Sequence, residues 1–488
     1  MTEWDLIVLG GGSAGFAAAR VATEELGARV AVVDKGPLGG LCILAGCMPS
    51  KALIQSSNVA HLISRASTFG TPAIAQPVDF PALMARKDRL IQGFAEYRAD
   101  RITTLPNSEL FLGPVRFVDP HTVMVGDRPL SAPKFILALG STPMVPPIPG
   151  LSEVGYLLSD QALNLHKQPE SLLLVGGGII ALELGQFFAR IGTRVTILEA
   201  LPRLVAREDP EVSEVITQRL QREGVVIHTG VRPVRVERLG DRKAVTFETP
   251  DGAVHEVEGA EILVATGREP SIKGLDLDRA GVQMEGRRMV LDRCLRTTNP
   301  DIFAAGDVTG GSYLVHVAIS DGELAARNAL LGCAPKPAPA HLFLSAAFTQ
   351  PNIARVGLSE GEAQQLGREV LVGRYRFADH GKAEILGETD GFVKMLADPL
   401  SGEILGTTIV GPDGAELIHE IACAMTFRAT VEQFLQVPHV HPTLAEIWTY
   451  PAEEIVDQIR RRARMPSTRF PAGYNDQDEE RSFEEAWS

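Results

Sequence analysis

The chain has 488 residues of ordinary globular composition, 45% hydrophobic and 22% charged, a length that predicts two to four domains. Its 47 basic and 61 acidic residues leave a net charge of −14, which argues against nucleic-acid binding, because that binding draws on Lys and Arg contacts to phosphate. Five cysteines, an odd number, argue against a structural disulfide framework and for a reducing compartment.

In chain order, the first residues run directly into an apolar strand, Leu6-Ile7-Val8-Leu9, with no basic or cleavable segment before it. A cytoplasmic protein is the expectation, with no membrane partner. The strand meets a glycine turn, Gly10-Gly11-Gly12-Ser13-Ala14-Gly15, then a helical stretch from Phe16 to Leu26 and a strand from Val30 that ends on Asp34. Two cysteines five positions apart, Cys42 and Cys47, come next in the run from Gly39 to Lys51. A further strand, Ile136 to Leu139, ends on Gly140, and Pro143, Pro146, Pro147 and Pro149 then mark the exit from a first domain.

The same plan begins again about 166 residues later. Leu172 to Val175 leads into Gly176-Gly177-Gly178-Ile179-Ile180-Ala181, a helical stretch from Leu182 to Ile191, and a strand from Val195 ending on Glu199. Ile262 to Thr266 then ends on Gly267. The apolar stretch from Leu172 to Ala189 contains three consecutive glycines and Glu183, so it reads as strand, turn and helix rather than a membrane span. Pro335, Pro337 and Pro339 mark a second joint. Beyond it come strands over Phe392 to Leu396 and Ile404 to Val410 about an Asp398-to-Gly402 turn, then a helix from Ala415 to Arg428 with Leu417, Ile421 and Met425 on one face. The chain after Arg464 is polar and acidic. Cys294, Cys333 and Cys423 are scattered and read as buried small hydrophobes.

Glycine turns at a helix start let backbone N–H groups approach a pyrophosphate, and the acid about 20 residues further on accepts from a ribose diol. Gly10, Gly12 and Gly15 with Asp34 form one such set, and Gly176, Gly178 and Ala181 with Glu199 the other. One glycine turn is weak evidence; two, each in register with strand, helix and acid, predict two dinucleotide sites. A carboxylate at Glu199 repels a 2′-phosphate and favours NAD over NADP, whereas Ala181 in the third glycine position leans the other way. A cysteine pair beside such a site suggests a dithiol/disulfide that exchanges two electrons with a cofactor. No metal site is expected.

The run Gly39-Gly40-Leu41-Cys42 through Cys47-Met48-Pro49-Ser50-Lys51 closely resembles the redox-active helix of the class I pyridine nucleotide–disulfide oxidoreductases, the family of dihydrolipoamide dehydrogenase, glutathione reductase and mercuric reductase. Thr297 to Asp307 resembles the family's second FAD motif, Ala265 to Pro270 its turn closing the NAD domain, and His439 to Glu446 its active-site base motif. The resemblance runs from Asp5 to about Ala463. It implies an α/β fold with two Rossmann-like dinucleotide-binding domains, for FAD (residues 1–150 and 273–340) and NAD (151–272), a C-terminal α+β dimerisation domain (341–463) and an acidic tail (464–488). It further implies a homodimer with shared active sites. In it Cys42 exchanges with substrate, Cys47 faces the flavin, Lys51 pairs with Glu183 near the flavin, Asp307 meets the ribityl chain, and His441 with Glu446 acts from the second subunit. His439 has at most a minor role.

The most similar activity is that of dihydrolipoamide dehydrogenase, with dihydrolipoamide or a lipoyl carrier protein as substrate. Mercuric reductase is the alternative, with Arg207 to Pro210 slightly like that branch. It normally needs a further vicinal cysteine pair, and the last cysteine here is Cys423. A reductase of another small disulfide, or a redox-responsive binding protein without turnover, ranks lower. The pattern departs from the family at Leu41, Leu44-Ala45 and Met48, positions that the resemblance puts beside the flavin, which leaves the disulfide potential and the exact substrate open.

Overall fold

The structure, a computed structural model, describes residues 4–331 and 342–464. Cys333, the joint at Pro335 to Pro339 and the acidic tail beyond Arg464 lie outside the described residues. The rest falls into two compact units: one runs to Arg355 and takes in Val410–Glu416, and the other holds Val356–Ile409 and continues from Leu417.

The first unit contains two parallel sheets. In the first, β1 (Leu6–Leu9) leads through α1 (Ser13–Arg20) to β2 (Val30–Asp34). Helices α2 (Gly40–Ala45), α3 (Cys47–Ser64) and α4 (Phe80–Thr103) precede β3 (Ser108–Leu112), and β4 (Phe135–Leu137) ends before the short strand β5 (Ser141–Pro143). In the second, β6 (Ser171–Val175), α5 (Ile179–Arg190) and β7 (Arg194–Glu199) repeat the opening. Helix α6 (Pro210–Arg222), β8 (Val226–Thr229) and β9 (Glu261–Val264) complete it, and β10 (Arg268–Pro270) follows. The chain then returns to the first sheet through β11 (Ile302–Ala304) and lays α7 (Val315–Leu330) beside α1. The strand orders are β11-β4-β1-β2-β3 and β8-β7-β6-β9, parallel throughout.

These strands are continuous apolar runs because both faces of each sheet are covered. Leu6, Val8, Val30, Val32 and Ile136 pack with alanines of α1 and α7 (Ala14, Ala18, Ala325, Ala326), while Ile7, Leu9, Val33 and Leu137 pack with Phe117, Val123 and Leu275 on the other side. The first helix starts earlier than its apolar pattern suggests, at Ser13, and widens into a π turn over Val21–Glu25 where the Thr23 hydroxyl donates to the Ala19 carbonyl. The apolar stretch from Leu172 is strand β6, turn and helix α5, and no helix among the described residues is long and apolar enough to cross a membrane.

The two halves of this unit are tied together by hydrogen bonds to a buried cluster of charges. Arg190 at the end of α5, its side chain almost wholly buried, donates to Glu223, to Asn58 of α3 at 2.6 Å and to Gln350 at 2.7 Å. Glu223 also accepts from Arg219 of α6, which reaches His61 of α3 at 3.0 Å.

In the second unit β12 (Leu371–Arg376) pairs antiparallel with β13 (Phe392–Ala397). Asp398 then turns the chain by accepting from the N–H groups of Leu400 and Ser401, and β14 (Ile404–Gly411) follows. Helix α8 (Gly414–Thr426) buries Ile418, Ile421 and Met425, with Leu417 half-buried. Helix α9 (Val431–Leu435) starts on a Thr430/Gln433 capping box, and α10 (Thr449–Arg464) ends the described chain. Trp448 lies fully buried with its indole N–H on the Leu417 carbonyl.

Two scattered cysteines depart from the expected burial. Cys423 is exposed, on the side of α8 away from Ile421 and Met425, and Cys294 is half-buried in a turn where its N–H binds Asp292.

Candidate active site

Both glycine turns are built the same way. Gly10 and Gly176 open them with φ of 111° and 112°, a region that excludes most side chains. The Asp34 carboxylate accepts from the Gly11 N–H at 2.7 Å and the Gly36 N–H at 2.7 Å; Glu199 accepts from the N–H groups of Gly177 and Leu201. The two acids expected at a ribose therefore also brace the turns, which the sequence pattern does not reveal. At Gly12 a Cβ would have only the Gly40 Cα within 4 Å, and at Gly178 nothing. Open space over these two turns, at helix N-termini, is what a pyrophosphate needs. The third positions differ: a Cβ on Gly15 would lie 1.7 Å from the Gly10 carbonyl oxygen, whereas Ala181 is accommodated and buried.

The exits of the two halves meet. Strand β5 after Gly140 pairs antiparallel with β10 after Gly267. Ser141 donates to Asp307 at 2.7 Å and accepts from the Arg268 guanidinium at 2.8 Å. Burial pushes the Asp307 carboxyl up, partly offset by the Ser141 hydrogen bond and the Arg268 charge. The three distant segments that carry the two cofactor motifs thus converge on one buried polar cluster.

Cys42 and Cys47 sit on two helices. Gly46 separates α2 from α3, with φ −135° and ψ −113°, and a Cβ there would lie 2.9 Å from the Leu41 carbonyl oxygen. The break makes Cys47 the first residue of α3, where helix N–H groups favour a thiolate. Both residues are half-buried free thiols. The hydrogen bond from Cys42 brings the Cys47 thiol down to about 6, helped by the Lys51 charge and opposed by burial. The same hydrogen bond, then burial, pushes the Cys42 thiol up. The pair is asymmetric: the hydrogen bond favours the thiolate on Cys47 and the thiol on Cys42.

Lys51, one helical turn beyond Cys47, reaches Glu183 of α5 at 2.8 Å and lies 4.6 Å from the centre of the Phe348 ring. Glu183 is 5% exposed against 31% for Lys51, and its second oxygen accepts from the Phe348 N–H at 2.9 Å. A carboxylate held this deep is stable only with such partners. The expected Lys51–Glu183 pair is therefore present, and it joins the two halves beside the cysteines.

In the second unit His441 Nδ1 lies 3.0 Å from Glu446 Oε2. The imidazole is 82% exposed and the carboxylate 14%, so Nε2 of His441 is left open. His439 is engaged at both nitrogens, by Glu420 at 2.8 Å and the Val437 carbonyl at 2.9 Å, which removes it as a base. One residue beside this pair escaped the sequence reading: His380, fully buried, with Nε2 3.5 Å from Glu446 Oε1.

Residues 4–322 match the family model described as pyridine nucleotide-disulphide oxidoreductase, and residues 344–452 match the dimerisation domain of the same family. The chain belongs to the pyridine nucleotide-disulphide oxidoreductases. It is 36% identical to a mercuric reductase of Streptomyces lividans, over 94% of this chain and 97% of that protein. It is 34% identical to a dihydrolipoyl dehydrogenase of Bacillus subtilis, over 90% and 96%. Among solved structures it resembles the HOCl-induced flavoprotein disulfide reductase RclA from Escherichia coli, with a TM-score of 0.82 at 26% identity over 92% of this chain and 99% of that one. As in the family, the cofactors are FAD and a nicotinamide dinucleotide. The residues here fit both: two open glycine turns each backed by an acid, and Asp307 in the polar cluster of the first half.

Proposed function

We propose that the protein oxidises a small dithiol at Cys42–Cys47 and passes the electron pair to NAD+, as a dihydrolipoamide dehydrogenase does. In this reading residues 1–150 with 273–340 hold FAD, 151–272 hold NAD, and 341–463 form the dimer. The observation that carries it is the His441–Glu446 pair. A thiol with a pKa near 8.5 is mostly protonated at neutral pH and needs a base, whereas a metal ion delivered on thiolates does not.

His441 Nε2 takes a proton from the substrate, while Glu446 at Nδ1 stabilises the imidazolium. The substrate thiolate attacks the Cys42 sulfur of the disulfide; the Cys42–Cys47 bond breaks and Cys47 leaves as the thiolate that its surroundings favour. The second substrate thiol, deprotonated in turn, attacks the mixed disulfide, so the oxidised substrate departs and Cys42 recovers a proton. FAD, when bound, supplies the two-electron relay between this dithiol and the nicotinamide. Lys51, held by Glu183, keeps a positive charge beside Cys47, and the Glu199 carboxylate disfavours a 2′-phosphate and so NADP. The base comes from the partner subunit of a cytoplasmic homodimer. The test is incubation of the purified protein with dihydrolipoamide and NAD+; a rise in NADH absorbance is expected, and its absence overturns the reading.

Mercuric reductase is the second reading, favoured by relatives of that name at 36% identity. Against it, no cysteine pair follows Cys423 in this sequence. Mercury-dependent NAD(P)H oxidation exceeding dihydrolipoamide turnover reverses the order.

A further inference from the structure

His380 lies between the turn Phe377–Asp379 and the helix Gly381–Leu386, far from the base motif in sequence. Its side chain is wholly buried, and neither ring nitrogen has a hydrogen-bond partner among the described residues. Phe377 and Tyr450 stand edge-on to the ring, and Tyr450 is itself stacked on Tyr375 at 3.9 Å. The titratable groups that face it are Glu446, His441 and Tyr450; Asp379, its neighbour in the chain, is turned to Arg376. Burial favours the neutral imidazole.

A buried imidazole with both nitrogens unpaired requires a physical reason, since nearly all buried polar atoms are satisfied. Here the reason is 3.5 Å away, at Glu446 Oε1. The other oxygen of the same carboxylate holds His441. Rotation about the last bond of a glutamate is soft and roughly two-fold, so a single hydrogen bond to a solvent-exposed imidazole does not hold the carboxylate plane. A donor fixed in the core does. An approach of about half an ångström turns the His380–Glu446 contact into an ordinary hydrogen bond.

We infer that His380 is a positioning residue for the base: with its proton on Nε2 it donates to Glu446 Oε1, which directs Oε2 at His441 Nδ1 and keeps His441 Nε2 open toward a dithiol. The inference rests on the base role proposed above for His441, and it adds a residue in a row of three, His380–Glu446–His441.

The experiment uses the intact FAD-loaded dimer and separates the two half-reactions by stopped flow. His380→Met keeps the length of the side chain without a donor; His380→Gln places an amide nitrogen near the position of Nε2. For His380→Met, reduction by dihydrolipoamide slows about tenfold, the equivalent of one hydrogen bond, while reduction by NADH is unchanged. His380→Gln recovers most of that rate. Equal rates for His380→Met and the unaltered enzyme, or no recovery in His380→Gln, overturn the inference. Should His380→Met not fold, His380→Leu makes the same comparison with His380→Gln. His441→Gln is the control: if it leaves dithiol reduction fast, the base assignment itself fails, whereas a slow His441→Gln with a fast His380→Met removes only the part given to His380.

Discussion

The first half of the large unit and its repeat share a sheet order, a glycine turn, a bracing acid and a closing strand, yet only the first carries a pair of cysteines after the acid. The difference begins directly after the acid. Beyond Asp34 the chain enters α2 and α3, broken at Gly46, and so presents two thiols. Beyond Glu199 it enters a loop and α6, which supports the sheet and offers no thiol. A second difference lies inside the turns, where Gly15 sits against the Gly10 carbonyl and Ala181 has room for its methyl group. One plan therefore tolerates two kinds of insertion: chemistry after the acid, and a looser fit at the third glycine.

The sharpest way to break the comparison is to make the first half as inert as the second. Cys47→Ser removes the leaving thiolate, and dithiol turnover falls by more than about 10³-fold. Reduction of an artificial dye by NADH remains, because the half proposed to hold the nicotinamide is untouched; assays with dihydrolipoamide and with the dye, side by side, measure both. The next test exchanges the third turn positions. Gly15→Ala drives a methyl group into backbone and costs more than about 3 kcal/mol, read as loss of bound FAD and a lowered Tm. Ala181→Gly costs about 1 kcal/mol, the penalty for glycine inside a helix, and leaves NAD binding in place.

The smallest effect is in pH. In the reduced protein Cys47 titrates near 6, below the roughly 8.5 of a free thiol. A depressed value means that the folded state favours the thiolate. Its contribution to stability is full above about pH 8.5 and is lost as pH falls through about 6. Peptide-mapped alkylation of Cys47 should therefore lose half its rate near pH 6, and the Tm of the reduced protein should rise between pH 6 and 8.5. A half-point near 8.5 would remove the asymmetry between Cys47 and Cys42.

What could be read from the chain alone were features with local signatures. Positive-φ glycines, apolar strands and an acid at a fixed interval announced both nucleotide turns, and the resemblance around Cys47 and His441 pointed to Lys51, Glu183 and Glu446. The Lys51–Glu183 and His441–Glu446 pairs are present as that reading expects. Features that depend on packing were not legible. The break at Gly46 follows from crowding against Leu41, the bracing role of Asp34 and Glu199 from backbone N–H groups turned inward, and the place of His380 from burial alone. No spacing links His380 to Glu446. Cys294 and Cys423 show the converse error, since hydrophobic character alone does not put a thiol in the core.

The charged cluster of Arg190, Glu223 and Arg219, hydrogen-bonded to Asn58 and His61, has a consequence for how the molecule comes apart. It fastens α3, which starts at Cys47, to α5 and α6 of the repeat, and the Lys51–Glu183 pair fastens the same helices a second time. Drawing the first half away would leave the buried Glu183 without Lys51 and the buried Arg190 without Asn58. The duplicated halves have thereby given up independent unfolding: heat or denaturant should melt them in one cooperative step, and neither should persist as a separate domain once the other is cut away.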